Sequence, residues 1–481
     1  MSLRARLCRL AVAAALCLSA DARAAEQRTR VYIVLIDGMN ASAVTEQLTP
    51  TLWSLAHGQG DRATYYTAAH AVMPTVTNTN HAALMTGSYP AANGILGNKM
   101  SDRVADHAPF PSEFARYLRV ETLFTVAERE RPELRTAALF GKSRLVGLFS
   151  AVPGAQERPD VLWGDLQTET EGIDARVGFA SDHRTMDETI RTVTVQDPDV
   201  LFVALPDVDR TEHVFGPDSA EARRAVLRVD DEIRRLIATA KAQGTWSETV
   251  LFVTADHGMQ SVAADRAAGR PYPLVLFGRE LLRDGFDDLI VLSRGGIESV
   301  FLPGSPPTAF NATTSERLAA VRRLALAQPE IAEAWYRLPN PADGGEAATV
   351  AHAHPDWHLD DPQAGDLLLV ARPHCHFGDP FDASTAGLLG NHGGAGTTDI
   401  PLIVSGGDPR IRAQIIAADA GAAPATNPDI GATALWLLDL RPTQMVSGAP
   451  VPEALAGRVL REAFGETASA GTQTRLSELR Q

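Results

Sequence analysis

Cysteine is scarce in this chain, with three residues in 481, at positions 8, 17 and 375. Cys8 and Cys17 fall in an N-terminal stretch that reads as a removable leader, which leaves Cys375 alone. No internal disulfide is then expected, and stability must come from the core or from bound metal. Positive charge is in short supply too: 44 Lys and Arg stand against 59 Asp and Glu, a net charge of −15. Such a surface disfavours nucleic-acid backbones, so no polymeric nucleic-acid partner is expected. It does not exclude small phosphorylated substrates, because a local cationic centre can dominate a site. Long apolar runs are missing as well. The apolar stretch LAVAAALCL, 10–18, is too short to cross a bilayer and no other reaches that length, so no membrane span is expected.

That short run has the make-up of a secretory signal. Arg4, Arg6 and Arg9 precede it, and Ala22-Arg23-Ala24 offers a small-x-small cleavage site. Residues 1–24 are therefore expected to be a signal peptide, with the remaining chain exported and soluble, periplasmic in a two-membrane host. Removing them takes away four Arg and one Asp, which moves the charge from −15 to −18.

What is present is a series of β-rich apolar runs: VYIVLI (31–36), TAALF (136–140), DVLFVAL (199–205), TVLFVTA (249–255), DLLLVA (366–371) and IPLIV (400–404). Continuous runs of this length suit strands buried on both faces. Helical patterns near 183–195, 219–243, 315–327 and 428–438 separate them. The alternation predicts an α/β fold with a parallel, doubly wound sheet, whose ligands bind beyond the carboxyl ends of the strands. The Pro-, Gly- and His-rich segment 262–388 is expected to be an insertion or cap rather than a second core, flanked by core segments 25–261 and 389–462. Residues 463–481 read as a frayed polar tail. Neither an internal repeat nor a coiled coil is evident.

The polar residues that follow these runs carry the chemistry. VYIVLI ends in Asp37-Gly38, DVLFVAL in a stretch holding Asp209 and, four residues on, His213, and TVLFVTA in Asp256-His257-Gly258. GNHGG carries His392. Taken singly, an Asp-Gly is a turn and an Asp-His pair is weak. Taken together, three Asp and three His in this order make two sets of ligands suited to divalent zinc. Between the first two runs lies PTVTNTNHAALMTGSYPAANGILGN (74–98), where a Thr-rich loop enters a short helix and returns through a Gly-rich turn.

This pattern resembles the type I phosphodiesterase/nucleotide pyrophosphatase family of the alkaline phosphatase superfamily, over most of residues 30–260 and the loop at 390–406. The resemblance is carried by PTVTNTNH, TGSYP and GILGN. It implies an alkaline-phosphatase-like core plus a cap insertion, and two Zn2+ per chain. Asp37, Thr77, Asp256 and His257 would hold one, and Asp209, His213 and His392 the other. Asp207 lacks the four-residue spacing to His213. Thr77 would be the nucleophile, forming a phosphothreonyl intermediate, and free N–H groups of its helix would face the incoming anion. Asn98 would donate its amide N–H to a phosphoryl oxygen, a neutral donor that suits a small phosphodiester or nucleotide substrate.

Two departures bear on substrate. Nucleotide-cleaving relatives often have an aromatic residue directly after the nucleophile, where this chain has Asn78. The TNTN run is similar to that of phosphonoacetate hydrolase, which makes C–P hydrolysis the alternative reaction; Lys142 and Arg144 in GKSRL lie beyond a predicted strand and could bind a carboxylate or phosphate, so Lys142 and Asn78 are further candidates to touch substrate. Solvated surface cations are the plainer reading of Lys142 and Arg144. No (Cys/Ser)-x-Pro-x-Arg motif of a sulfatase occurs. In the cap, His352, His354, His358, His374 and His376 are expected to be hydrogen-bonded or solvated more than metal-binding. Trp357 and Tyr336 are candidates for leaving-group contacts, with packing of the cap as their plainer reading, and His81 reads as structural. Oligomeric state is not legible.

Overall fold

The computed structural model describes residues 28–104, 109–150, 159–164, 173–174, 179–262, 274–275, 277–378, 388–417 and 423–465. The expected signal peptide, residues 1–24, and residues 466–481 lie outside them.

The centre of the fold is a nine-stranded sheet. Arg30–Ile36 runs down its middle, parallel to Thr249–Thr254 on one side and to Val200–Leu205 on the other. Thr136–Phe140 extends the parallel part beyond Val200–Leu205. Every residue of these four strands is buried, as continuous apolar runs require when helices cover both faces. Because the four share one direction, whatever follows their last residues emerges along one edge. Across that edge the sequence of strands brings Asp256-His257, then Asp37, then the Asp207–Phe215 helix, then Lys142.

Two features depart from the expected pattern. Asp399–Gly406 pairs antiparallel with Thr249–Thr254, and Arg62–His70, which no continuous apolar run announces, pairs antiparallel with it in turn. The sheet is thus mostly parallel. The run at 366–371 does not join it at all. Leu367–Ala371 sits in a separate antiparallel sheet with Ile290–Ser293, Ile297–Phe301 and Ile331–Tyr336.

That second sheet corrects the expectation that the 262–388 segment lacks a core. Phe277, Leu281, Val300, Leu318, Val321, Tyr336, Leu367 and Leu369 form an apolar cluster of their own, packed under the Ala312–Leu326 helix. The weak periodicity of the segment hid it, because the strands are short and joined by long Pro- and Gly-rich turns. Trp357 stacks on His354 at 3.8 Å, and the Tyr336 hydroxyl donates to Asp343 at 2.8 Å, so both pack the cap. The C-terminal end also holds longer than expected: Ala463 and Phe464 are buried in the main core, Phe464 against Trp436.

Candidate active site

The Thr77–Thr86 helix starts where the Thr-rich loop leaves extended geometry at Val76, and it ends at Gly87 in the left-handed region, φ +59°. All ten of its residues are buried. Asn80 fixes its entry. Its Nδ2 donates to the carbonyls of Val72, Pro74 and Val76, while its Oδ1 accepts the Val72 N–H at 2.7 Å. Thr77 is thereby held with its side chain towards the strand ends, with Oγ1 3.4 Å from His257 Nε2.

Beyond His257 the structure brings together all six Asp and His residues of the sequence pattern. Asp209, His213 and His392 offer ligand atoms within 4.8 Å of one another, and so do Asp37, Asp209 and His257. Asp37, Asp256 and His81 form a third such group, so His81 reaches the site more closely than its structural reading implied. His257 Nε2 lies 3.4 Å from Asp256 Oδ2 and 3.7 Å from Asp37 Oδ1. The His257 and His392 rings stack at 3.7 Å. Asp207 stays out: its carboxylate accepts from Asp182 N–H and Arg210.

The hydrogen bonding of these groups points inwards. His213 Nδ1 bonds the Gly390 carbonyl at 3.0 Å, His257 Nδ1 that of Gly258 at 3.1 Å, and His392 Nδ1 that of Thr75 at 2.8 Å. A carbonyl only accepts, so each Nδ1 carries the proton and each Nε2 presents a lone pair. Each carboxylate is likewise engaged on one oxygen only. Asp256 Oδ1 accepts the N–H groups of Gly38 and His257, and Lys142 takes one oxygen of Asp37 and one of Asp209. The remaining oxygens, Asp37 Oδ1, Asp209 Oδ1 and Asp256 Oδ2, are buried without a hydrogen-bond partner. Three orphaned carboxylate oxygens facing imidazole lone pairs are a poor arrangement for a protein alone and a suitable one for divalent cations.

Gly38 explains how Asp37 and Asp209 come so close. At φ +82° it sits where a Cβ would lie 2.8 Å from the Asp209 backbone, so only glycine allows the two loops to touch. Burial raises the Asp37 carboxyl to about 6, against the pull of Lys142. Burial and the Asp37 charge push Asp256 well above the usual carboxylate range. At Asp209 burial acts upward, but Lys142 and His213 outweigh it and hold the group well below that range. Burial drives His257 down to about 3 and His392 well below the ordinary histidine value, which keeps both neutral as ligands must be.

Lys142 is 2 % exposed, and its ammonium lies 2.6 Å from Asp37 Oδ2 and 2.9 Å from Asp209 Oδ2. It is therefore neither a solvated surface cation nor an ammonium waiting for substrate: strand Thr136–Phe140 is third from Asp256 across the edge, and its loop falls against these carboxylates. Asn78 also differs from expectation. Its side-chain Nδ2 donates to Ser112 Oγ, and its backbone N–H, one of the helix donors assigned to the anion, is taken by Asn98 Oδ1 at 2.9 Å. That bond orients the Asn98 amide and leaves Nδ2 as its unengaged branch among the described residues. None of His352, His354, His358, His374 and His376 joins a metal-capable group among the described residues. The sequence reading missed Thr75, Ser112 and Asn40, whose amide brackets Met259 through two backbone bonds. Only Thr75 lay within a motif that could have exposed it.

The pattern of the family described as "Type I phosphodiesterase / nucleotide pyrophosphatase" matches residues 31–395. The chain belongs to that family. It is 24% identical over 287 residues to ectonucleotide pyrophosphatase/phosphodiesterase family member 7 of Rattus norvegicus, covering 57% of this chain and 62% of that protein. An uncharacterized pyrophosphatase/phosphodiesterase of Schizosaccharomyces pombe is 25% identical over 252 residues, 50% of this chain and 46% of that one. The chain thus spans less than two thirds of the length of these curated relatives. Among solved structures, murine ectonucleotide pyrophosphatase/phosphodiesterase 5 superposes with a TM-score of 0.64 at 17% identity, over 91% of this chain and 100% of that one. Phosphonoacetate hydrolase from Sinorhizobium meliloti, bound to phosphonoformate, gives 0.59 at 18% identity, over 86% and 96%. The fold of this family member is accordingly that of the alkaline-phosphatase-like phosphodiesterases, with its mostly parallel sheet and flanking helices.

Proposed function

We propose that this protein is a two-metal hydrolase of small phosphodiesters or nucleotide pyrophosphate bonds, with Thr77 as nucleophile. One observation carries the reading: three buried carboxylate oxygens without partners lie among three inward-facing Nε2 atoms, one of which is 3.4 Å from the Thr77 hydroxyl. Asp37, Thr77, Asp256 and His257 would hold one cation and Asp209, His213 and His392 the other, and the mixed Asp/His donor set favours zinc. Such cations would neutralise charge on the attacking and leaving oxygens.

The chain's own groups do the rest. The Asn80 clamp aims Thr77 Oγ1 at phosphorus. The Thr77 hydroxyl proton is given up to solvent; as the Oγ1–P bond forms, the P–O bond to the leaving group breaks and the leaving oxygen keeps the electron pair. Asn98 Nδ2 donates to a non-bridging oxygen. Water then displaces threonine from the phosphothreonyl intermediate and restores the hydroxyl. A solved complex of AMP with an inactive threonine-to-alanine variant of murine ectonucleotide pyrophosphatase/phosphodiesterase 5 is in keeping with both the nucleophile and a nucleotide ligand. We also read residues 1–24 as an export signal.

The deciding experiment is Thr77→Ala, followed by hydrolysis of a nitrophenyl phosphodiester and by metal content. We expect metal retained and turnover lowered by about 10³-fold or more, as for loss of other covalent nucleophiles. Undiminished turnover would remove Thr77 from the chemistry. A phosphonate C–P hydrolase is the second reading, favoured by Asn78 in place of an aromatic residue after the nucleophile and by the structural likeness to phosphonoacetate hydrolase. Acetate release from phosphonoacetate without diester turnover would reverse the order.

A further inference from the structure

The turn at residues 294–296 joins the cap strands Ile290–Ser293 and Ile297–Phe301, and it reaches both halves of the site. On one side it interlocks with the GNHGG loop. The Gly296 N–H donates to the His392 carbonyl at 2.9 Å. A Cβ on Gly295 would lie 2.0 Å from that same carbonyl oxygen, and one on Gly393 would lie 1.8 Å from the Arg294 oxygen. The two loops therefore touch backbone to backbone, and only glycines permit it.

On the other side the Arg294 side chain runs to the Asn98 turn. Its Nη1 donates to Ser299 Oγ at 2.7 Å and its Nη2 to the Gln363 carbonyl at 2.8 Å. Its Nε has no hydrogen-bond partner among the described residues, and the residue is only 5% exposed. Among the described residues no carboxylate forms an ion pair with it: the nearby Asp361, whose charge does act on it, is bound to Arg119, which itself packs over Gly94 at the start of the same turn. A buried guanidinium with no directly paired carboxylate is costly, and it persists only where the surrounding structure fixes it. Its Nε edge bears on Gly97, whose Cβ, were there one, would lie 2.5 Å from it. Gly97 is the residue before Asn98.

We propose that Arg294 is a positioning residue for Asn98, so that a turn of the cap sets the geometry of the phosphoryl-oxygen donor. This rests on the reading of Asn98 given above. The cap carbonyls hold the guanidinium from behind, its edge stops the Gly97 backbone from moving towards the cap, and Asn78 N–H fixes the Asn98 amide from the opposite side.

A double-mutant cycle tests it on the intact, metal-loaded protein. Arg294→Lys keeps the charge but not the planar fork. It should lower kcat by about 10-fold, in the range for residues that orient catalytic groups, with metal content and KM nearly unchanged. Gly97→Ala, which presses on the guanidino group without removing a hydrogen-bonding atom, should do the same. In an Asn98→Ala background, Arg294→Lys should change kcat by less than about twofold, because the residue through which it acts is gone. Losses that multiply in that background, or wild-type kcat for both single variants, overturn the inference while leaving the role of Asn98 standing. Wild-type activity of Asn98→Ala alone would overturn that role and the inference with it.

Discussion

His213 and His392 show what a single residue contributes here. Both turn Nδ1 to a backbone carbonyl and Nε2 towards the Asp209 oxygen that has no hydrogen-bond partner, at 3.3 Å and 3.7 Å. Each carbonyl thus selects a tautomer and an aim, which is how outer hydrogen bonds prepare a metal ligand. His213→Ala removes one donor of one group only. It should leave the purified protein with about one metal equivalent instead of two, by atomic emission, and lower diester turnover at least about 100-fold. Two equivalents in that variant would mean that His213 does not bind metal. Lys142 makes a different residue-level point: a cation that sequence alone leaves ambiguous between surface and substrate is settled by its 2 % exposure and two carboxylate contacts.

Among the elements, the Thr77–Thr86 helix depends most on side chains to be where it is. Its N-cap residue, Val76, supplies no side-chain hydrogen bond, and only the Asn78 N–H of the first turn meets a side chain, that of Asn98. Asn80 instead binds four backbone groups of the entering loop, and Asn427 at the start of the Asn427–Leu437 helix donates both to Asn80 Oδ1 and to the Asp256 carbonyl. The nucleophile's loop and the Asp256 loop are therefore tied by one pair of asparagines. Asn80→Ala strands several buried polar groups and should cost roughly 2–4 kcal/mol in urea unfolding. A loss below about 0.5 kcal/mol, the usual surface value, would show that water or rearrangement replaces the clamp. Sequence made the elements themselves legible. The buried runs and the amphipathic Ala220–Ala242 helix announce themselves by pattern. Arg62–His70 did not, because its burial alternates irregularly with exposed positions along an edge of the antiparallel part.

For the whole molecule the question is how cap and core act as one. Asp366, at the start of a cap strand and fully buried, binds Arg103 of the core segment and Arg337 of the cap, and it also accepts the Leu302 N–H at 2.9 Å. Asp366→Ala leaves two buried guanidinium groups unpaired and should destabilise the protein by about 3–5 kcal/mol, the usual loss when one partner of a buried ion pair is removed. Thermal unfolding followed by circular dichroism would check it; an unchanged midpoint would show that the two arginines find other partners.

Sequence by itself determined the buried strand runs, the acids and imidazoles placed just after several of them, and the Thr-rich entry to a helix, because burial and turn chemistry are local properties of the chain. Only the tertiary structure decided which strands are neighbours, and hence that Asp37 stands between Asp256 and Asp209. It alone placed Lys142 against two carboxylates, gave the Asn78 N–H to Asn98, and built a separate core in the cap. Those outcomes depend on contacts between residues far apart in the chain, such as Arg294 with Gly97, and no local pattern encodes a distance across folded space.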